Sequence, residues 1–358
     1  MILFMEPIHI LGAGSIGMFW ASSIRTAFPS YPLAVLFLPK HKRRFLQNCD
    51  GGTSSKRPEV LVCTMQNRRP RMSKVPVEFI GDDRKAPIRN LILATKAYQA
   101  EAALEGILPR LQNNDTGPLR IFILSNGALD VRENLQLLST RHGDLPPTEY
   151  IMCTTTQGVI REQNDNSSDE EEEPIIHLSH VGQGTTFLGG VPAMAQLWDS
   201  SGLNATAIGC NDKSPLGSND AMEVLLWKEL AANCFCNPLT ALWGLTNGDL
   251  LRHDEAPRIR KQLVQEICAV AQGLHPSRLQ EDLSETALDA YVEQTMRENL
   301  KKRSAMYYDI KRGQRTEIDS LNGYIVRTAN EMGIDTPSNL DLLRRIQDLD
   351  RATAQTIH

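Results

Sequence analysis

"IHILGAGSIGMFWASSIRTAF", residues 8–28, is the stretch on which the fold turns. A short apolar run, 8–11, enters GAGSIG and leaves into a segment with helical spacing, so the order is strand, glycine turn, helix. In that setting Gly12 permits the tight turn, Gly14 lets backbone N–H groups approach a diphosphate, and Gly17 lets helix and strand pack closely. The diphosphate then sits at a helix N-terminus, where unpaired donors and the macrodipole favour anions. Gly12, Ala13, Gly14, Ser15, Ile16 and Gly17 are therefore the candidate dinucleotide cradle, against the plainer alternative of a structural turn.

Working outward, the next strand, "LAVLFL" (33–38), runs into "PKHKRRF" rather than into an acidic residue. A carboxylate at that strand end would hold the adenosine ribose diol and select NAD, whereas cations accommodate a 2′-phosphate. Lys40, Lys42, Arg43 and Arg44 thus favour NADP, with a solvated basic turn as the competing reading. Two further strands end in polar signals: "NLILAT" (90–95) runs into "KAYQ", and "RIFILS" (120–125) into "NG". Ligands of open α/β sheets lie outside the carboxyl ends of the strands, so Lys96, Gln99 and Asn126 stand on the cofactor side. Residues 44–80, a polar glycine turn with short β-like runs, read as an elaborated strand region.

An acidic stretch near 162–174, containing "DEEEE", cannot bury enough surface to order itself and is expected to be a mobile loop between two strands. "TTFLGG" (185–190) is expected to close the first domain, which ends near residue 215. Beyond it strand patterns cease. "AMEVLLWKELAANCFCNPLTALWGL", "PRIRKQLVQEICAVAQGL", "SETALDAYVEQTMRENLKKRSAMYYDIKRG" and "EIDSLNGYIVRTANEMG" all space apolar residues as helices do. The expected architecture is an α/β Rossmann-type N-terminal domain, 1–215, followed by an all-α C-terminal domain, 216–358, with the site in the cleft between them.

At 358 residues, with 41% hydrophobic residues, the chain has material for two domain cores. A net charge of −5 argues against a protein that coats nucleic acid, and no run reaches the ~20 apolar residues of a membrane span. Seven scattered cysteines without CxxC spacing read as reduced thiols, and no metal site is expected. The cytosol is the default compartment, with an uncleaved mitochondrial signal as the minor alternative.

Two stretches of the helical half, "NCFCNPLTALWGLTNGDL" (233–250) and "RTEIDSLNGYIVRTANEMGIDTPSN" (315–339), resemble the signature regions of ketopantoate reductases, and GAGSIG, "TKAYQ" (95–99) and "SNG" (125–127) resemble that family's cofactor side. The resemblance implies NADPH-dependent reduction of 2-dehydropantoate, a 2-oxo acid, to pantoate in pantothenate and coenzyme A biosynthesis. It leaves a homodimer through the helical domain open. In the family a lysine four residues before the first asparagine supplies the proton; here that position is Glu229, and Lys228 is one residue out of register. Asn233 and Asn237 are in place, and the substrate-binding glutamate matches Glu317. The family's substrate-binding serine falls on Ala305, with Ser304 again off by one.

These departures leave the donor open between Lys228, reaching across a turn of about 100°, and Glu229, kept protonated by burial. They also leave open a reductase of a different carbonyl compound, or a catalytically impaired dinucleotide-binding scaffold or sensor. Asn233 and Asn237 could instead bond buried backbone beside a helix broken or kinked by Pro238, and Glu317 could be a surface carboxylate at a helix start.

Overall fold

The computed structural model describes residues 6–41, 58–67, 69–82, 86–112, 117–143, 145–162, 175–208, 218–275 and 277–356. The chain divides into two compact units, Met1–Ser218 and Asn219–His358. Lys42, Arg43 and Arg44 of the basic turn, and residues 163–174 of the acidic stretch, lie outside the described residues.

The first unit is built on one 11-stranded sheet. β1 (Ile8–Leu11) lies between β2 (Leu33–Phe37) and β5 (Asn90–Leu93), parallel to both, and β6 (Leu119–Ile123) and β7 (Thr148–Thr155) continue the parallel run beyond β5. All four residues of β1 are buried, as expected of a central parallel strand covered on both faces. On the other side, β2 pairs with β4 (Arg69–Phe79), which turns back antiparallel onto β3 (Glu59–Gln66). The short β-like runs expected over 44–80 are thus, among the described residues, a long hairpin. The strand order reverses about β1 and β5, so the crevice that Rossmann sheets use for ligands opens where the glycine turn leaves β1.

β9 (Ile175–Gly182) adds parallel to β3, and β8 (Gly158–Arg161) adds antiparallel to β9 at the sheet's end. At the opposite end β10 (Thr186–Gly189) does not close the unit. A short helix, Pro192–Trp198, follows it and leads to β11 (Ala205–Ile208), parallel to β10. Trp198, wholly buried, makes an edge contact with Trp20 and a tilted one with Phe122. Fully burying aromatic side chains contributes on the order of 2–3 kcal/mol each, which explains why the chain continues past β10 to place this anchor.

The second unit is helical in its described residues. Its central helix, α6 (Ser218–Trp243), follows, among the described residues, five helices: α1 (Ser15–Ala27), α2 (Ala100–Glu105), α3 (Leu108–Gln112), α4 (Ala128–Arg141) and α5 (Pro192–Trp198). Next come a single turn, α7 (Asn247–Leu250), then α8 (Ala256–Leu274), α9 (Glu285–Glu298), α10 (Ala305–Lys311), α11 (Asn322–Met332) and α12 (Pro337–Thr356). The helical spacing read continuously through residues 284–313 is interrupted: α9 ends at Glu298 and α10 starts after Ser304.

Pro238 does not end α6. Its missing N–H would leave the carbonyl four residues back, that of Cys234, without its helical donor. Asn322 supplies the replacement, its Nδ2 lying 3.1 Å from the Cys234 oxygen and 3.0 Å from Asn339 Oδ1. Glu266 completes the lock, its carboxylate accepting from the Ser338 and Asn339 N–H groups at the start of α12.

Candidate functional site

Three glycines shape the turn after β1, each for a different reason. Gly12 has φ +120°, and a Cβ there would lie 2.5 Å from the Ala94 carbonyl. A Cβ on Gly17 would lie 1.9 Å from the Gly12 oxygen. Both positions therefore need glycine for the fold itself. Gly14 does not: its φ of −77° and ψ of −174° suit any residue, and a Cβ there meets nothing within 4 Å. Open space at a glycine that the backbone does not require, at the uncapped N-terminus of α1 with no acidic residue in its first turn, fits a bound diphosphate.

The other cofactor candidates gather at the same sheet edge. The Ala94 N–H donates to Leu11 O at 2.8 Å, and Ser125 Oγ donates to Thr95 O at 2.9 Å, so the chain ends beyond β1, β5 and β6 are tied together. Lys96 opens the 3-10 turn Ala97–Gln99, and Asn126 stands one residue beyond Ser125. Lys40 is exposed in the turn Pro39–His41 after β2, which carries no carboxylate.

In the helical unit, Glu229, Asn233 and Asn237 recur every four residues and so share one stripe of α6. Asn237 Nδ2 lies 3.4 Å from Asn233 Oδ1, so the two amides contact each other. Lys228 is partly buried but one position, about 100°, off that stripe. Glu229 Oε1 accepts a 2.6 Å hydrogen bond from the Tyr291 hydroxyl on α9. Burial pushes the Glu229 carboxyl above its ordinary range; the Tyr291 hydrogen bond opposes this, and the charge of Glu298 adds to it. Burial and the Glu229 carboxylate likewise raise the Tyr291 phenol, so the phenol remains the donor of the pair.

Ser304 caps α10 by accepting from the Tyr307 N–H at 3.1 Å. Its Oγ also lies 2.7 Å from Thr240 Oγ1 and donates to Asn237 O at 3.2 Å. This hydroxyl is fully engaged within the fold, while Ala305, exposed, presents no polar group. The loop before Ser304 is pinned by the end of the first signature stretch: Asn247 N–H donates to Lys302 O and Gly248 N–H to Leu300 O, where a Cβ on Gly248 would come within 2.8 Å of that oxygen. Glu317 is 6% exposed, which removes the surface-carboxylate reading. Cys153, Cys234, Cys236 and Cys268 are buried free thiols whose pKa values burial raises, Cys236 to about 12 despite the nearby Arg260, so none is a thiolate.

Tyr291, Thr240 and Asn322 had no local signal in the sequence, since each acts on a residue more than sixty positions away. Among the described residues no group of His, Cys, Asp or Glu could hold a metal ion, and no helix is long and apolar enough to cross a membrane.

A Rossmann sheet with an open glycine cradle, followed by a helical unit, defines a nicotinamide-dinucleotide-dependent oxidoreductase of the dehydrogenase type. Residues 8–193 match the ketopantoate reductase PanE/ApbA domain and residues 221–350 the ketopantoate reductase PanE/ApbA C-terminal domain, so the chain belongs to the ketopantoate reductase family. A 2-dehydropantoate 2-reductase of Vibrio cholerae is 29% identical over 73% of this chain and 78% of its own. A Schizosaccharomyces pombe protein named "Probable 2-dehydropantoate 2-reductase" is 26% identical over 94% of this chain and 95% of its own. Among solved structures, a D-mandelate dehydrogenase with NADH and anilino(oxo)acetate covers 97% of this chain and 99% of its own with TM-score 0.71 at 20% identity. A ketopantoate reductase from Ralstonia eutropha has the same coverage with TM-score 0.69 at 19% identity. Both share the fold.

Proposed function

We propose that the protein reduces 2-dehydropantoate to pantoate with NADPH, on the route to pantothenate and coenzyme A, in the cytosol. The reductases that it matches over most of its length support this substrate, and the open cradle at Gly14 is the single observation that best supports a dinucleotide cofactor. Gly12, Ala13, Gly14, Ser15, Ile16 and Gly17 would hold the diphosphate. Lys40 and Arg43 would supply the positive charge that a 2′-phosphate requires, and Lys96, Gln99 and Asn126 would bind the cofactor beyond the ends of their strands. A dimer is part of this reading, in keeping with a Staphylococcus aureus ketopantoate reductase described as dimeric.

NADPH supplies a hydride to the keto carbon, so the chain must provide a proton and a hydrogen-bond donor for the oxygen. Glu229 is the proposed donor. Its raised pKa keeps more of the neutral acid near neutral pH than an ordinary carboxyl would. The Tyr291 O–H then steadies the carboxylate left after proton transfer, and water restores the proton. Asn233 and Asn237, on the same stripe, offer amide N–H groups to substrate oxygens, and Glu317 accepts a substrate hydroxyl. Ser304 acts by holding the start of α10 against α6.

The test follows NADPH absorbance with ketopantoate in the wild type and in the Glu229→Gln, Lys228→Ala and Glu229→Lys variants. Expected are turnover in the wild type, a fall in kcat of about 10²–10³ in Glu229→Gln, and a change within a few fold in Lys228→Ala. Because the acid form is required, wild-type kcat should fall as pH rises through the raised Glu229 pKa. Loss of turnover in Lys228→Ala with Glu229→Gln active would move the donor to Lys228. A wild type that binds NADPH without consuming ketopantoate would remove the substrate assignment.

A further inference from the structure

Arg161 ends β8, 148 residues from the glycine loop, yet its Nη1 donates to the carbonyl oxygen of Ala13 at 2.9 Å. Three features hold it there. β8 packs against α1, the helix that the glycine loop opens. Val159, two residues earlier and so on the same face of β8, packs against the core cluster that includes Ile8, Phe19 and Trp20. The neighbouring β9 presses the His180 ring to 4.7 Å from the Phe19 ring on α1, and Gln157 Oε1 fixes His180 Nε2 at 2.8 Å. The guanidinium is thus carried by packed strands to the glycine loop, at the residue that precedes Gly14.

We infer that Arg161 is a cofactor-binding residue that clamps the diphosphate of the dinucleotide against the glycine loop. The inference rests on the proposed cofactor reading and extends it to a residue outside the glycine motif. A guanidinium holds five N–H donors in a planar fork suited to paired phosphate oxygens. By donating to Ala13 O, Arg161 is tied to the loop itself and brings a positive charge to it. A diphosphate carries two negative charges, whereas the N-terminus of α1 offers the equivalent of about half a positive charge. A full cation at this place makes up part of the difference.

The experiment measures direct binding by calorimetry of two cofactor fragments to the full chain. 2′-Phospho-ADP-ribose contains the diphosphate, and 2′-AMP keeps the 2′-phosphate but lacks it. Arg161→Ala should weaken 2′-phospho-ADP-ribose by roughly tenfold to a hundredfold, the range for a lost hydrogen bond to a charged group, and change 2′-AMP by less than about twofold. Arg161→Lys, which restores charge without the fork, should recover part of the loss. Because Arg161 is exposed, the thermal midpoint should stay close to that of the wild type. Equal weakening of both fragments, or of neither, would overturn the assignment while leaving the cofactor reading intact. A wild type that binds neither fragment would overturn both.

Discussion

A Cβ added at Gly17 would lie 1.9 Å from the Gly12 carbonyl oxygen, whereas the helical unit holds a glutamate, Glu229, at the register where its family resemblance expects a lysine, and α6 runs on undisturbed. The first unit shapes its candidate site with backbone, and no other residue fits at Gly12 or Gly17 without a shift of the chain. The second unit shapes its candidate site with side chains projecting from a helix that is held from outside it, by Asn322 on the Cys234 carbonyl and Ser304 on the Asn237 carbonyl. Chemistry carried by a single side chain can therefore change with no change of fold, while chemistry carried by a loop cannot.

The strongest attempt to break this contrast is a pair of alanines. Gly17→Ala should cost more than about 4 kcal/mol and remove the folded first unit, because neither the loop nor β1 can retreat. Gly14→Ala should leave the thermal midpoint within a few degrees, since its backbone is ordinary and the space is open. Its effect should appear in NADPH titration as weakened binding. If both variants unfold alike, the cradle at Gly14 is a packing feature and not a ligand site.

Titration separates the units in opposite directions. In the first unit, burial alone would push the Glu78 carboxyl up, but the hydrogen bond and charge of His9 and the charge and hydrogen bond of Arg110 outweigh it and leave a pKa of about 2. The Arg110 guanidinium lies 2.9 Å away and is 2% exposed. A depressed folded pKa means stability that is present above the ordinary value of 4.5 and lost as pH falls toward about 2. Glu229 behaves in the reverse sense: its raised pKa contributes stability at low pH that is lost as pH rises beyond the ordinary carboxyl range. Urea titrations from pH 2 to pH 5 should show Glu78→Gln flattening the acid loss, at a cost of about 3–5 kcal/mol at neutral pH from the cation left without its full partner. An unchanged acid limb in that variant would place the acid sensitivity elsewhere.

The same division explains what was legible in the sequence. The Rossmann core was readable because its signals are local: a four-residue apolar run, three glycines at fixed spacing and polar residues just past strand ends. The family was readable because its motifs keep their order along the chain. The helix stripe of Glu229, Asn233 and Asn237 followed from a period of four. What escaped was whatever depends on long-range pairing. Apolar spacing gave no warning of the break between α9 and α10, because that break is stabilised by hydrogen bonds from Asn247 and Gly248 to Lys302 and Leu300. Nor could it show β11, whose partner is β10, or Tyr291, whose hydroxyl finds Glu229 across 62 residues. The proline in α6 reads as a helix breaker until its distant compensator is known.

That compensation is open to a double-mutant cycle, the smallest effect and the most discriminating. Asn322 is fully buried, and its Nδ2 serves both the Cys234 carbonyl and Asn339 Oδ1. Asn322→Ala should therefore cost about 1–3 kcal/mol in urea unfolding, moderated because the variant also removes Oδ1, a buried acceptor with no partner among the described residues. Pro238→Ala returns an N–H to the position that normally serves the Cys234 carbonyl, and alone should change stability by about 1 kcal/mol or less, helix propensity gained offsetting ring packing lost. Combined, the two should be less harmful than their sum by about 1 kcal/mol, since the carbonyl then has a backbone donor and only the Asn339 contact is missing. An Asn322→Ala penalty of the same size in both backgrounds would mean that Asn322 serves Asn339 alone, and that α6 tolerates Pro238 without help from the second signature.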